Sequence, residues 1–357
     1  MKIAFFGSSV LSAYWNGAAT YYRGLIRALH ARGHSVTFYE PDAFDRQRHR
    51  DLKDPSWVNV VVYPNSSDAA LRQVDSAKDA DLVIKTSGVG VFDELLEQAV
   101  LDLRRVSQIV AFWDVDAPAT LDRVLNRPDD PFRKLIPQYD AILTYGGGQP
   151  VIRSYELLGA RACYPIYNGL DPTTHYPVPA AREYWAHLSF LGNRLPDREA
   201  RADEYFFQPA VACPNQRFLL AGNGWVDKQM PANVDYLGHL YTSAHNAFNC
   251  SPRIVLNISR DSMARNGYSP ATRVFEAAGA GACLLSDAWD GMEDFFEPNT
   301  EILVTNNGLE VTEILRSVTP LHARAIGQAA YRRAIRNHTY HQRVRQLESA
   351  LSLCAIP

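Results

Sequence analysis

The feature that most limits what this chain can fold into is an alternation that runs its whole length: short apolar runs separated by stretches with helical spacing. Apolar runs bounded by turn residues read as strands buried on both faces. Strands that alternate with helices read as βαβ units, whose strands lie parallel. In the first half the runs fall at 2–6, 35–40, 58–63, 81–85, 108–113 and 141–145. Residues 20–32 carry Leu25, Ile26 and Leu29 on one helical face and stop at Gly33; residues 91–105 repeat the pattern with Leu95, Leu96, Ala99 and Leu103. A breaker-rich stretch at 167–179, containing Asn168-Gly169 and Asp171-Pro172, reads as a linker. The alternation then restarts, with runs at 188–191, 217–221, 234–237, 254–258, 283–286 and 302–304 and helical spacing at 242–248 and 270–278. Residues 322–351 form a polar, Arg-rich helical end.

A chain of 357 residues is too long for one ordinary domain. The expected class is α/β, as two Rossmann-like doubly wound domains facing across a cleft at the carboxyl ends of their sheets. The expected boundaries are 1–172, 173–330 and a helical end at 331–357 that packs back towards the first domain. A net charge of -3 gives no general affinity for nucleic-acid backbones. No apolar run approaches the roughly 20 residues that cross a bilayer. The run at 2–6 is too short for a secretory leader, so no transmembrane segment is expected. The five cysteines are scattered without a CxxC, which points to a reducing compartment, the cytoplasm by default, and argues against a zinc site.

The stretch 266–287 carries the most chemistry. Ser269 and Pro270 read as the N-cap and first residue of a helix, whose start would present the backbone N–H groups of Ala271, Thr272 and Arg273 to an anion. Arg273 would add a charged donor. Glu276, nearly two turns in, offers the carboxylate that a vicinal ribose diol needs, and residues 277–282 are all Ala or Gly, which permits close packing.

This segment resembles the nucleotide-sugar site of retaining GT-B glycosyltransferases, in which two glutamates eight positions apart precede a small-residue helix end. Glu276 matches the second, ribose-binding glutamate, and Tyr268 stands where the first would be. The order of RVFEAAGAGACLLSDAWDGMEDFFEP, an early WNG and a mid-chain FWDxDxP further resembles the glycosyltransferase-like proteins related to spore maturation protein CgeB. By this resemblance SFLGNRLPDR is the loop that approaches the diphosphate, with Gly192 allowing close approach and Arg194 and Arg198 supplying charge. His239 and Leu240 would flank the base, and the 167–178 stretch would link the domains.

On the acceptor side the loop after the first strand ends at Asn16 and Gly17, which would place an amide and a helix-terminal N–H near the reacting centre. After the run at 108–113 come Asp114 and Asp116, either of which would orient or deprotonate an acceptor hydroxyl, beside Trp113 as a sugar-stacking ring; Asp116 also reads as a helix N-cap. Together these imply transfer of a sugar from a nucleoside diphosphate to a hydroxyl, with retention. The diphosphate would be held by arginines and a helix terminus, with no metal and no cofactor beyond the nucleotide sugar. An epimerase of the same architecture and a non-catalytic nucleotide-sugar-binding protein are the competing readings.

Overall fold

The computed structural model describes residues 1–14 and 16–354, and the chain divides into two compact units: residues 1–168 with 340–357, and residues 169–339. Trp15, part of the loop singled out above, lies outside the described residues.

In the first unit seven strands, β1 (Lys2–Phe6), β2 (Ser35–Pro41), β3 (Asn59–Tyr63), β4 (Leu82–Thr86), β5 (Ile109–Asp114), β6 (Ala141–Thr144) and β7 (Cys163–Pro165), form one parallel sheet. Their order is β3-β2-β1-β4-β5-β6-β7. The six apolar runs are all strands, and the edge strand β7 joins them from a stretch too short to stand out. Helices α1 (Ala19–Ala31), α2 (Ser67–Ser76), α3 (Asp93–Ala99), α4 (Ala117–Asn126) and α5 (Gly148–Leu157) cross between strands. The central strands are buried along their length because helices cover both faces, which is why they read as continuous apolar runs rather than alternating ones.

The second unit repeats the plan. Strands β8 (Leu188–Leu191), β9 (Phe218–Ala221), β10 (Val234–Tyr236), β11 (Ile254–Asn257), β12 (Leu284–Asp287) and β13 (Leu303–Thr305) run parallel in the order β10-β9-β8-β11-β12-β13. Its helices are α6 (Glu199–Ala202), which continues through a π-helical stretch at Asp203–Phe207 into α7 (Gln208–Ala212), then α8 (Thr242–Cys250), α9 (Asp261–Asn266), α10 (Thr272–Gly279), α11 (Gly308–Ser317) and α12 (Pro320–Asn337). In each sheet the order reverses direction once, between β1 and β4 and between β8 and β11. Ligands in doubly wound sheets bind outside the carboxyl ends of the strands at that switch.

The helical end divides. Helix α12 belongs to the second unit, while α13 (Tyr340–Cys354) packs on α1 with Tyr340, Val344, Leu347 and Leu351 in the first unit's core. A Cβ at Gly24 of α1 would lie 2.1 Å from the Tyr340 ring, so the missing side chain is what lets the two helices close. Among the described residues no helix is long and apolar enough to cross a membrane.

Candidate functional site

At the switch point of the second sheet, β8 leads into Gly192 and Asn193, and the chain leaving β11 passes through Ser259 and Arg260. Gly192 is hemmed in: a Cβ there would lie 2.7 Å from the Phe190 ring and 3.1 Å from Arg198 Nη1, and its carbonyl accepts from Trp225 Nε1 at 2.8 Å. The chain turns so tightly that the Arg198 guanidinium lies against the end of the strand. Arg198 Nε lies away from solvent without a partner, and so does Arg273 Nη1. Burial, with repulsion from Arg273 and Arg260, pulls Arg198 down to about 10. Burial likewise lowers Arg273, which Glu276 counteracts. Like charges gathered with orphaned donors are costly until an anion arrives.

The start of α10 differs from the sequence expectation. Helical geometry begins at Thr272 with Ala271 as the N-cap, and no side chain caps it. Ser269 is buried one turn earlier. The cause lies just upstream, where Tyr268 has φ +47 and its N–H donates to the Asp290 carbonyl. That bond holds residues 267–270 against the loop after β12 rather than in helix, and the Tyr268 ring lies on Gly291. A non-glycine residue in left-handed geometry stores strain, a common mark of functional segments.

Glu276 is buried on α10, 7% exposed, and among the described residues nothing donates a hydrogen bond to its carboxylate. Two histidines face it. His175 Nε2 lies 3.8 Å from its Oε1, and the donor atoms of His175, His245 and Glu276 all lie within 4.8 Å of one another. Burial pushes the Glu276 carboxyl up, but His175, His245 and Arg273 outweigh it and hold the group below its ordinary value. Burial pulls His245 down to about 4. The small-residue end of α10 explains how His175 reaches this point. A Cβ at Gly279 would lie 2.3 Å from Leu170 and 3.1 Å from the His175 carbonyl, so glycine admits the 170–175 turn onto the Glu276 face of the helix. The sequence reading missed both histidines. His175, His245 and Glu276 are far apart in the chain and show no ligand spacing; only the fold gathers them.

Two other expected donor residues are engaged elsewhere. Arg194 is held by Glu199 at 2.6 Å and Asp227 at 2.9 Å. His239 is exposed, with its ring on Tyr241 and its Nδ1 3.4 Å from Asn223 Nδ2.

In the first unit the two aspartates separate. Asp114 is completely buried at the end of β5 and accepts from Ser87 Oγ, Thr120 Oγ1, Tyr155 OH and the Asp116 N–H. Burial raises it, with those hydrogen bonds pulling the other way. Asp116, only partly buried, occupies the N-cap position of α4. Trp113 is not open to a sugar: it is wholly buried in the core and donates to Tyr21 OH at 3.1 Å. Asn16 binds its own loop, donating to the carbonyls of Ser9 and Ser12 and accepting from Ser8 Oγ. Gly17 is exposed, with open space where a side chain would be.

Residues 198–349, which include Arg198, Arg273 and Glu276, match the family model described as "Glycosyl transferase-like". Solved structures align over nearly the entire chain. Anabaena HepE, solved with UDP and glucose, superposes with a TM-score of 0.68 at 15% identity, over 99% of this chain and 100% of that one. Sucrose-phosphate synthase from Thermosynechococcus elongatus gives 0.69 at 13% identity, over 99% and 98%. The fold is GT-B. An α-glucosyltransferase solved with UDP and a 13-mer DNA shares this GT-B fold at a TM-score of 0.70 and 14% identity, covering 100% of both chains. No curated protein matches the sequence.

Proposed function

We propose that this GT-B chain is a glycosyltransferase that takes its sugar from a nucleoside diphosphate, with UDP as the first nucleotide to test. The observation that carries this reading is the pairing, in one unit, of orphaned arginine donors at the sheet switch point with a buried carboxylate that nothing hydrogen-bonds. Arg198 and Arg273 suit a diphosphate, and the first turn of α10, through Ala271, Thr272 and the backbone of Arg273, adds a helix N-terminus. Glu276 accepts from the two ribose hydroxyls, and Tyr268, Ser269 and Gly192 complete the wall. HepE and the DNA-bound α-glucosyltransferase were both solved with UDP, which supports uridine as the base.

In the transfer step the bond from the anomeric carbon to the diphosphate oxygen breaks, and the acceptor oxygen forms the new bond. Charge then grows on the departing diphosphate, where fixed guanidinium and N–H donors stabilise it most. The arginines meet that charge without a metal at the diphosphate. Retention follows the resemblance to the retaining families. In the first unit Asp116 is better suited than Asp114 to take or orient the acceptor proton, because all the neighbours of Asp114 already hydrogen-bond to it. Asn16 and Gly17 shape the loop on that side.

Incubation with UDP-glucose, with and without an acceptor panel, tests the reading by following UDP release and the fate of the sugar. Transfer or slow hydrolysis is expected. Conversion of the donor sugar to its epimer without UDP release would point to the epimerase reading, and tight binding with neither product would point to a binding protein.

A further inference from the structure

The trio His175, His245 and Glu276 is short of protons. Thr174 Oγ1 lies 3.1 Å from the Asp171 carbonyl and 3.0 Å from His175 Nδ1. Its single hydrogen goes to the carbonyl, so Nδ1 carries the ring hydrogen of His175 and donates to the hydroxyl. That leaves His175 Nε2, on a side chain 3% exposed, as a lone pair aimed at the Glu276 carboxylate with no hydrogen-bond partner. The second ring repeats the pattern. His245 Nε2 faces the Leu240 carbonyl at 3.4 Å, and a carbonyl only accepts, so this nitrogen holds the hydrogen. His245 Nδ1 is then a second buried lone pair without a partner.

Two imidazole lone pairs and a carboxylate that accepts no hydrogen bond thus converge within 4.8 Å, with no donor between them. Such an arrangement is repulsive unless positive charge, either a proton on an imidazole or a metal ion, sits at its centre. Two histidines and a glutamate are a known zinc ligand set, and the outer contacts suit it too, since metal-bound imidazoles hold their orientation by donating the other N–H to an oxygen. Donors about 3.4 Å apart surround a tetrahedral ion with bonds of about 2.0–2.1 Å. The 3.8 Å between His175 and Glu276 is close to that, and the remaining pairs, within 4.8 Å, would close by up to about 1.4 Å.

We propose that His175, His245 and Glu276 form a binding site for a divalent transition ion, zinc being the probe, and that the ion competes with the nucleotide. The second half rests on the reading above that Glu276 takes the ribose. A bound ion withdraws that carboxylate from the hydroxyls, so zinc and UDP oppose one another through one side chain. The site expected from the sequence had no metal, because arginines and a helix terminus were to hold the diphosphate; the ion proposed here sits on the ribose-side carboxylate instead.

The test uses the full chain stripped with a chelator, loaded with zinc, desalted and assayed for bound metal. Cobalt is substituted in parallel to read ligand geometry from its visible absorption. One equivalent of zinc and the intense bands of four-coordinate cobalt are expected. His175→Ala and His245→Ala should each weaken zinc by at least about 100-fold, the upper range for disturbing even an outer partner of a metal ligand. The exposed His322→Ala should hold zinc as the parent does. Circular dichroism and the conservative His245→Gln separate lost ligation from lost folding, since a folded His245→Gln should still fail to retain zinc. Zinc held equally by the parent and the folded double variant would overturn the site. UDP affinity measured with and without zinc tests the competition, with a loss of about tenfold or more expected on loading. Equal affinity in a protein that retains zinc would overturn the competition and leave the donor reading standing. UDP binding in a stripped protein that takes up no zinc would overturn the metal site alone. Zinc retained by a protein that never binds UDP would overturn the donor reading alone.

Discussion

Asp114 in the first unit and Glu276 in the second are both buried carboxylates beside the carboxyl end of a central strand or its following helix, yet their surroundings are opposites. Asp114 accepts from three hydroxyls and a backbone N–H, so every neighbour is committed to it. Glu276 accepts from none and is faced by two histidines and an arginine. A saturated buried charge organises its own loop, whereas an unsaturated one with lone pairs and orphaned guanidinium hydrogens around it is built for something that arrives later. On the proposed reading, Asp114 serves stability and Glu276 serves ligand binding.

The largest effect should come from Asp114→Ala. It strands Ser87, Thr120 and Tyr155 in the core at a cost of about 3 kcal/mol or more, read by urea unfolding. UDP affinity of the folded fraction should be unchanged; a large loss of affinity with normal stability would reverse the comparison. Glu276→Gln should do the opposite. It is expected to weaken UDP by about 10- to 100-fold by calorimetry, as loss of hydrogen bonds to a charged group would, while stability moves by under about 1 kcal/mol. Next, Arg273→Ala should weaken UDP by about tenfold. Arg194→Ala should change it less than about threefold, because Glu199 and Asp227 already hold that guanidinium. Equal losses in the two arginine variants would remove the distinction between orphaned and engaged donors.

The smallest effect is in pH. Burial raises Asp114 above its unfolded value, so its contribution to stability is complete below the ordinary carboxylate range and is lost as pH rises through the folded value. The stability gap between the parent and Asp114→Asn should therefore narrow with rising pH. A gap that widens would mean the group is held below its ordinary value.

Most of the fold is legible in the chain because fully buried parallel strands leave uninterrupted apolar runs, as at 82–86 and 254–257. Strand β7 escaped because three residues at a sheet edge leave almost no pattern. The start of α10 was misplaced by the local logic of Ser-Pro, which a backbone bond from Tyr268 to Asp290 overrides. Arg273 and Glu276 were legible as charges at helical spacing beside a small-residue helix end. The saturation of Asp114 and the burial of Trp113 were not, because they depend on Ser87, Tyr155 and Tyr21, which come from other strands and helices. His175 and His245 were invisible for the same reason. A convergence of three distant segments is a property of the fold.

Calorimetric titration of UDP into the parent protein and into Glu276→Gln, both stripped of metal, tests the central claim most directly. The account expects saturable binding by the parent and a loss of about tenfold or more in the variant, with its folding intact. Binding that is absent in the parent, or equal in the two proteins, would contradict it.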